Sequence, residues 1–148
     1  MNIGVIGGCE CTEKTYEIAR EVGELIAAQQ WTLVCGGGGG VMEAVCRGAQ
    51  TAGGCTVGIL PTSDESSANQ YLAVKIPTGL GYARNILVVR ASQALIALNG
   101  KYGTLSEIAF ACNEEKPVVG IDTWDIPGVH KVPTPQEAIR YIKKKIGA

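Results

Sequence analysis

The sequence predicts an α/β domain built on a parallel sheet of about six strands with helices on both faces. Three features lead to that expectation. Short β-rich runs alternate with helical patterns along the chain, as repeated strand–helix–strand units require. Ala94 to Leu98 is apolar at every position, which suits a strand covered on both sides. Glycine-bearing segments follow three of the strands, where such sheets turn back into helices. At 148 residues the chain fits one domain, 1–148, able to bury roughly 68–70% of the surface its unfolded form exposes.

Asn2 to Gly7 reads as the first strand. Thr12 is placed to cap the next helix, whose Ile18, Val22, Leu25 and Ile26 recur at helical spacing and form a stripe for the sheet. Trp31 to Cys35 is the second strand. Gly36 to Gly40 then leads into a helix from Val41 to Ala52 that Gly53-Gly54 ends. Thr56 to Leu60 is the third strand. Pro61 to Gln70, polar and without periodicity, reads as a mobile surface loop with the reach of a lid. Leu72 to Ile76 is a fourth strand, Gly81 to Ser92 a helix, and Ala94 to Leu98 the central strand. A helix from Thr104 to about Asn113, a strand from Pro117 to Ile121 and a turn-rich connector from Thr123 to Val132 follow. Thr134-Pro135-Gln136-Glu137 opens the last helix, combining a capping box with proline at the first helical position.

Composition narrows the partners. Hydrophobic residues are 46%, charged residues 18% and the formal net charge is −1, so neither a disordered tail nor an electrostatic grip on nucleic acid is expected. No apolar run approaches the ~20 residues of a membrane span, and Met1 leads directly into a strand. A cytoplasmic protein with a small-molecule ligand and no membrane attachment is the expectation. The six cysteines then read as free thiols. None has C-x-x-C spacing and His130 is the only histidine, so no metal site is expected. Cys9-Glu10-Cys11 is the one arrangement that could hold a soft metal, and it reads better as small apolar side chains near the core.

Ligands of open α/β sheets bind beyond the carboxyl ends of the strands. Three segments fall there: Gly7-Gly8; Gly36, Gly37, Gly38, Gly39 and Gly40 with Val41 and Met42; and Gly100-Lys101-Tyr102-Gly103-Thr104. Glycine lets the backbone approach an anion, and each segment feeds a helix whose first N–H groups favour negative charge. Phosphate is the natural guest. The five-glycine run is not a dinucleotide fingerprint, since position 41 is valine. Nor is it a Walker loop, since no Lys-Ser or Lys-Thr follows.

Taken together, Cys35 to Ala44, Gly81-Tyr82-Ala83-Arg84-Asn85 and Gly103-Thr104-Leu105-Ser106-Glu107 resemble the superfamily of Lonely Guy proteins and molybdenum cofactor carriers, often labelled lysine-decarboxylase-like. The resemblance runs from the first strand to about Ile121 and implies a Rossmann-like fold and a homo-oligomer, dimer or tetramer. Lonely Guy enzymes hydrolyse nucleoside 5′-monophosphates to a free base and ribose 5-phosphate. Their motif P-G-G-x-G-T-x-x-E falls on Asn99 to Glu107, with Asn99 in place of proline and Lys101 in place of glycine. Their Arg-Lys pair becomes Arg84-Asn85. The resemblance thus implies Arg84 and Glu107 as catalytic residues if the protein is an enzyme. Glu107 would activate water or stabilise the cationic sugar, and Arg84 would hold phosphate or the departing base. The changed loop and short chain bring it closer to the carrier branch, whose ligand would be a molybdopterin-type cofactor in place of a nucleoside monophosphate. Apart from any resemblance, Thr104-Leu105-Ser106-Glu107 also reads as a capping box, with Glu107 serving only the helix end.

Overall fold

The structure, a computed structural model, describes residues 1–147. Seven strands form one wholly parallel sheet: β1 Asn2–Gly7, β2 Thr32–Cys35, β3 Thr56–Leu60, β4 Val74–Pro77, β5 Ala94–Leu98, β6 Val118–Ile121 and β7 Val129–Lys131. Their spatial order is β4-β3-β2-β1-β5-β6-β7. Four α-helices connect strands, α1 Glu13–Ala28, α2 Val41–Thr51, α3 Asn85–Arg90 and α4 Tyr102–Asn113, and a fifth, α5 Pro135–Ile146, follows β7. Among the described residues no helix is long and apolar enough to cross a membrane.

The central strands are buried on both sides while the edge strand β4 is exposed, and successive side chains of a central strand serve different layers. Ala94, Ile96 and Leu98 of β5 join Ile3 and Val5 of β1 beneath α1, α2 and α5. Leu95 and Ala97 join Ile6 beneath α3 and α4. The helix stripes follow from the sequence periodicity, with Val22 and Ile26 of α1 fully buried. Thr12 caps α1, its hydroxyl accepting from the Thr15 N–H at 3.2 Å. Thr134 caps α5 in the same way, with Pro135 at the first helical position.

Three expectations are corrected. The sheet has seven strands, because Val129–Lys131 pairs with β6 inside the stretch read as a connector. A strand of three residues is too short to show periodicity. The helix expected over Gly81 to Ser92 is a 3-10 turn, Gly81–Arg84, followed by the shorter α3. The helix expected from Thr104 begins at Tyr102, and Lys101 is its cap residue with no side-chain cap bond. Thr104 therefore lies inside the first turn, and the capping box with Glu107 does not form.

α1 and α2 cross at two glycines. A Cβ on Gly48 would overlap the Arg20 carbonyl oxygen, and one on Gly23 would overlap that of Val45. Alanine normally stabilises a helix interior over glycine by about 1 kcal/mol, whereas forcing atoms into a packed interface costs about 1–3 kcal/mol. Packing decides the sign here, because the obstacle is backbone on both sides. Gly48→Ala is expected to lower unfolding stability in urea by about 1–2 kcal/mol; a more stable variant would show that the helices can separate freely.

Candidate functional site

The strand order reverses between β1 and β5. From β1 the chain enters α1 on one face of the sheet, and from β5 it enters α4 on the other, so the two connections diverge and leave a cleft at the strand ends. That cleft has a volume of about 790 Å³, within the usual range for small-molecule sites. Gly7 closes its floor: a Cβ there would stand 2.5 Å from the Leu98 carbonyl oxygen and 2.6 Å from Val41 Cγ1.

Of the residues singled out in the sequence, Gly7, Gly8, Gly36, Met42, Arg84, Asn85, Gly100, Lys101, Gly103, Thr104 and Glu107 line this cleft. Gly37, Gly38, Gly39, Gly40 and Val41 do not. Gly40 starts α2 with φ +60°, and Val41 donates its N–H to the Gly8 carbonyl at 3.0 Å, so this stretch docks α2 onto the β1 loop. The segment 61–70 does not line the cleft either. Its Asn69 side chain donates to the carbonyls of Gly37 at 3.3 Å and Gly38 at 3.0 Å, which makes it a brace under the glycine run rather than a cover. Cys9, Glu10, Tyr82, Tyr102, Ser106 and Phe110 also line the cleft, although the sequence did not mark them as binding residues for a phosphorylated ligand. Tyr82 and Tyr102, 88% and 80% exposed, flank its mouth. Two tyrosines beside glycine motifs were the available signal.

Arg84 is held by backbone. Its Nε donates to the Ile59 carbonyl at 3.0 Å, a terminal nitrogen reaches the Gly36 carbonyl at 3.5 Å, and the other donates to Asn85 Oδ1. Asn85, 3% exposed, in turn donates to Ser106 Oγ at 3.2 Å, and that hydroxyl donates to the Gly103 carbonyl at 2.6 Å. This chain of bonds ties the 3-10 turn to the start of α4 across the cleft.

The start of α4 is the anion-seeking part. The first intrahelical bond runs from the Leu105 N–H to the Lys101 carbonyl at 3.0 Å. The N–H groups of Tyr102, Gly103 and Thr104 therefore precede the ladder and carry the positive end of the helix dipole. Gly100 permits this arrangement, with φ +97° and a Cβ position that would overlap the Thr104 hydroxyl. Glu107, one turn further on, is 8% exposed and lines the same cleft with no hydrogen bond to hold it. Burial pushes its carboxyl up to about 8, against the opposing pull of the Arg84 cation. At neutral pH Glu107 is thus mainly a neutral acid, able to donate a hydrogen bond.

The six cysteines are free thiols, with Cys35 and Cys46 buried and in contact at 3.5 Å. Among the described residues no group of three or more His, Cys, Asp or Glu side chains is gathered to hold a metal ion.

Fold and site together define a Rossmann-like α/β protein with an aromatic-rimmed cleft, bearing Arg84 and Lys101, at the point of strand reversal. The chain belongs to the SLOG cluster4 family, whose model matches residues 1–145, within the superfamily of Lonely Guy and molybdenum cofactor carrier proteins. The structure of the molybdenum cofactor binding protein from the phototrophic bacterium Rippkaea orientalis is similar, with TM-score 0.93 and 36% identity, covering 98% of this chain and 96% of that one. The molybdenum cofactor carrier protein of Chlamydomonas reinhardtii gives a TM-score of 0.89 and 33% identity over 99% of both chains. The cytokinin riboside 5′-monophosphate phosphoribohydrolase of Mycobacterium tuberculosis is 37% identical over 117 residues, 73% of this chain and 63% of the relative. The chain spans less than two thirds of that enzyme's length.

The raised Glu107 carboxyl carries a stability consequence. Between its ordinary value of 4.5 and about 8, the unfolded chain releases this proton and the folded chain keeps it. The unfolded state then binds fewer protons, so stability falls as pH rises through that window, by about 3–5 kcal/mol in all. Glu107→Gln removes the titration. The variant is expected to match the parent near pH 4.5 and to exceed it in unfolding free energy at pH 8.5. Parallel stability curves for the two proteins would contradict this picture of Glu107.

Proposed function

We propose that the protein holds a phosphorylated planar heterocycle, of molybdopterin or nucleotide type, as a binder or carrier. One observation carries the reading. The free N–H groups at the start of α4, with Lys101 and Arg84, offer positive charge to a phosphate, while the nearby Glu107 is kept neutral in the same cleft. A neutral acid does not repel an anion, and it can donate to a ring nitrogen or carbonyl. It is poorly suited to activating water or stabilising a cationic sugar, both of which need the carboxylate. Tyr82 and Tyr102 provide exposed rings at the mouth against which a heterocycle can stack. The molybdenum cofactor binding protein of Rippkaea and the molybdenum cofactor carrier protein of Chlamydomonas, matched over nearly their whole length, support this reading.

A second reading is a Lonely Guy-type phosphoribohydrolase acting on AMP. It is supported by the presence of Arg84 and Glu107 in one cleft and by the Mycobacterium relative. In that case Glu107, as a neutral acid, would protonate the departing base.

Native mass spectrometry of gently purified protein is expected to reveal a co-purifying phosphorylated pterin or nucleotide. The companion assay is adenine release from AMP by the parent, Arg84→Ala and Glu107→Gln. A carrier is expected to release no adenine above the uncatalysed background, with ligand affinity lowered about tenfold in Arg84→Ala and kept in Glu107→Gln. Adenine release by the parent that disappears in Glu107→Gln would establish the enzyme and overturn the carrier.

A further inference from the structure

The loop that shapes the start of α4 is held from outside the glycine motifs. Asn99 has φ +52° and Gly100 φ +97°, so two successive residues lie in the left-handed region. Glycine takes this conformation freely and asparagine tolerates it, whereas proline, fixed near −65°, cannot. The loop therefore has a shape of its own in this chain. The Asn99 side chain braces it locally, accepting from the Gly100 N–H at 2.7 Å.

Two adjacent residues of the β6–β7 connection hold its ends. Thr123 Oγ1 donates to the Asn99 carbonyl at 2.7 Å, and Trp124 Nε1 donates to the Lys101 carbonyl at 2.9 Å. The Lys101 carbonyl also takes the first hydrogen bond of α4, so the indole N–H is attached at the residue where the helix begins. Trp124 is itself fixed. It packs on the core layer beneath α3 and α4, and its ring meets Tyr102 at 6.1 Å between centroids.

We propose that Thr123 and Trp124 are positioning residues, a two-point clamp that keeps the Asn99–Lys101 loop in the shape that presents the α4 N–H groups and Lys101 to a ligand phosphate. The proposal rests on the reading of this cleft as an anion site. That reading has support beyond the helix end, because the unpartnered, buried Glu107 faces the same space. The connection lies past Ile121, where the recognisable motifs stop, so the anion loop depends on residues that no glycine motif contains. It also makes Trp124 a reporter, since the chain has one other tryptophan, the buried Trp31.

The test uses Trp124→Phe, which keeps a ring against Tyr102 but removes the donor, and Thr123→Val, with Thr123→Ser as the conservative rescue. Hydrogen exchange of the ligand-free protein is read first. Amides 100–105 are expected to exchange about three- to tenfold faster in Trp124→Phe and Thr123→Val, with β1 and β5 unchanged and Thr123→Ser like the parent. Unchanged exchange at 100–105 would overturn the clamp. Binding is read second, with AMP and adenosine as probes. AMP affinity is expected to fall about three- to tenfold in the two variants while adenosine affinity stays the same. In a Trp31→Phe protein, AMP is expected to shift the Trp124 emission. Equal losses for AMP and adenosine would reduce both residues to general packing and overturn the proposal. Faster exchange in the variants, combined with a parent that binds neither AMP nor inorganic phosphate, would instead overturn the anion-site reading and the role proposed here with it.

Discussion

The site depends on the pairing of β1 with β5. These strands run side by side over five residues, from Ile3 with Ala94 to Gly7 with Leu98, yet their connections leave toward opposite faces. A parallel sheet that turns back on its own order cannot fill the space at that point, since each helix packs on its own layer. Gly7 keeps the junction tight. Its missing side chain lets Val41 and the Leu98 carbonyl close on the strand end, so α2 starts directly beside the cleft. Without this junction, Arg84 from the 3-10 turn and Glu107 from α4 would have no shared space to face.

The electrostatics follow from that geometry. Two cations and a set of free N–H groups share the cleft with the exposed Glu10 and the buried Glu107, and burial outweighs Arg84 in setting the protonation of Glu107. Arg84 is engaged with the carbonyls of Ile59 and Gly36 and with Asn85 and makes no ion pair with Glu107, on which it acts only through space. With Glu107 neutral, the buried carboxyl adds no negative charge where Arg84 and Lys101 would meet an anion. The same residues would favour catalysis only if a ligand changed the protonation of Glu107 or used it as an acid.

Much of this was legible in the sequence, and the exceptions have physical causes. β1, β3 and β5 match their expected bounds because each combines apolar runs with clear turn residues. The expected residues of the Gly100 to Glu107 segment came to line the cleft, as did Arg84 and Asn85. The five-glycine run was read as one unit, but only Gly36 reaches the cleft. Glycine marks close approach, and here the approaching group is protein backbone for Gly40 and side chains for Gly37. The Thr104 capping box looked plausible because its spacing is right. The helix instead starts two residues earlier, since Gly100 can turn the chain sooner. That shift frees Glu107 from the helix end and gives it to the cleft. The roles of Thr123 and Trp124 were invisible in the sequence, because their partners are backbone carbonyls more than twenty residues away.

The central claim is that a ligand phosphate sits at the start of α4. A crystal structure of the protein grown with AMP tests it directly. The account predicts phosphate oxygens within hydrogen-bonding distance of the N–H groups of Tyr102, Gly103 or Thr104, with Lys101 or Arg84 alongside. AMP bound with its phosphate away from these groups, for instance over the start of α2, would contradict it.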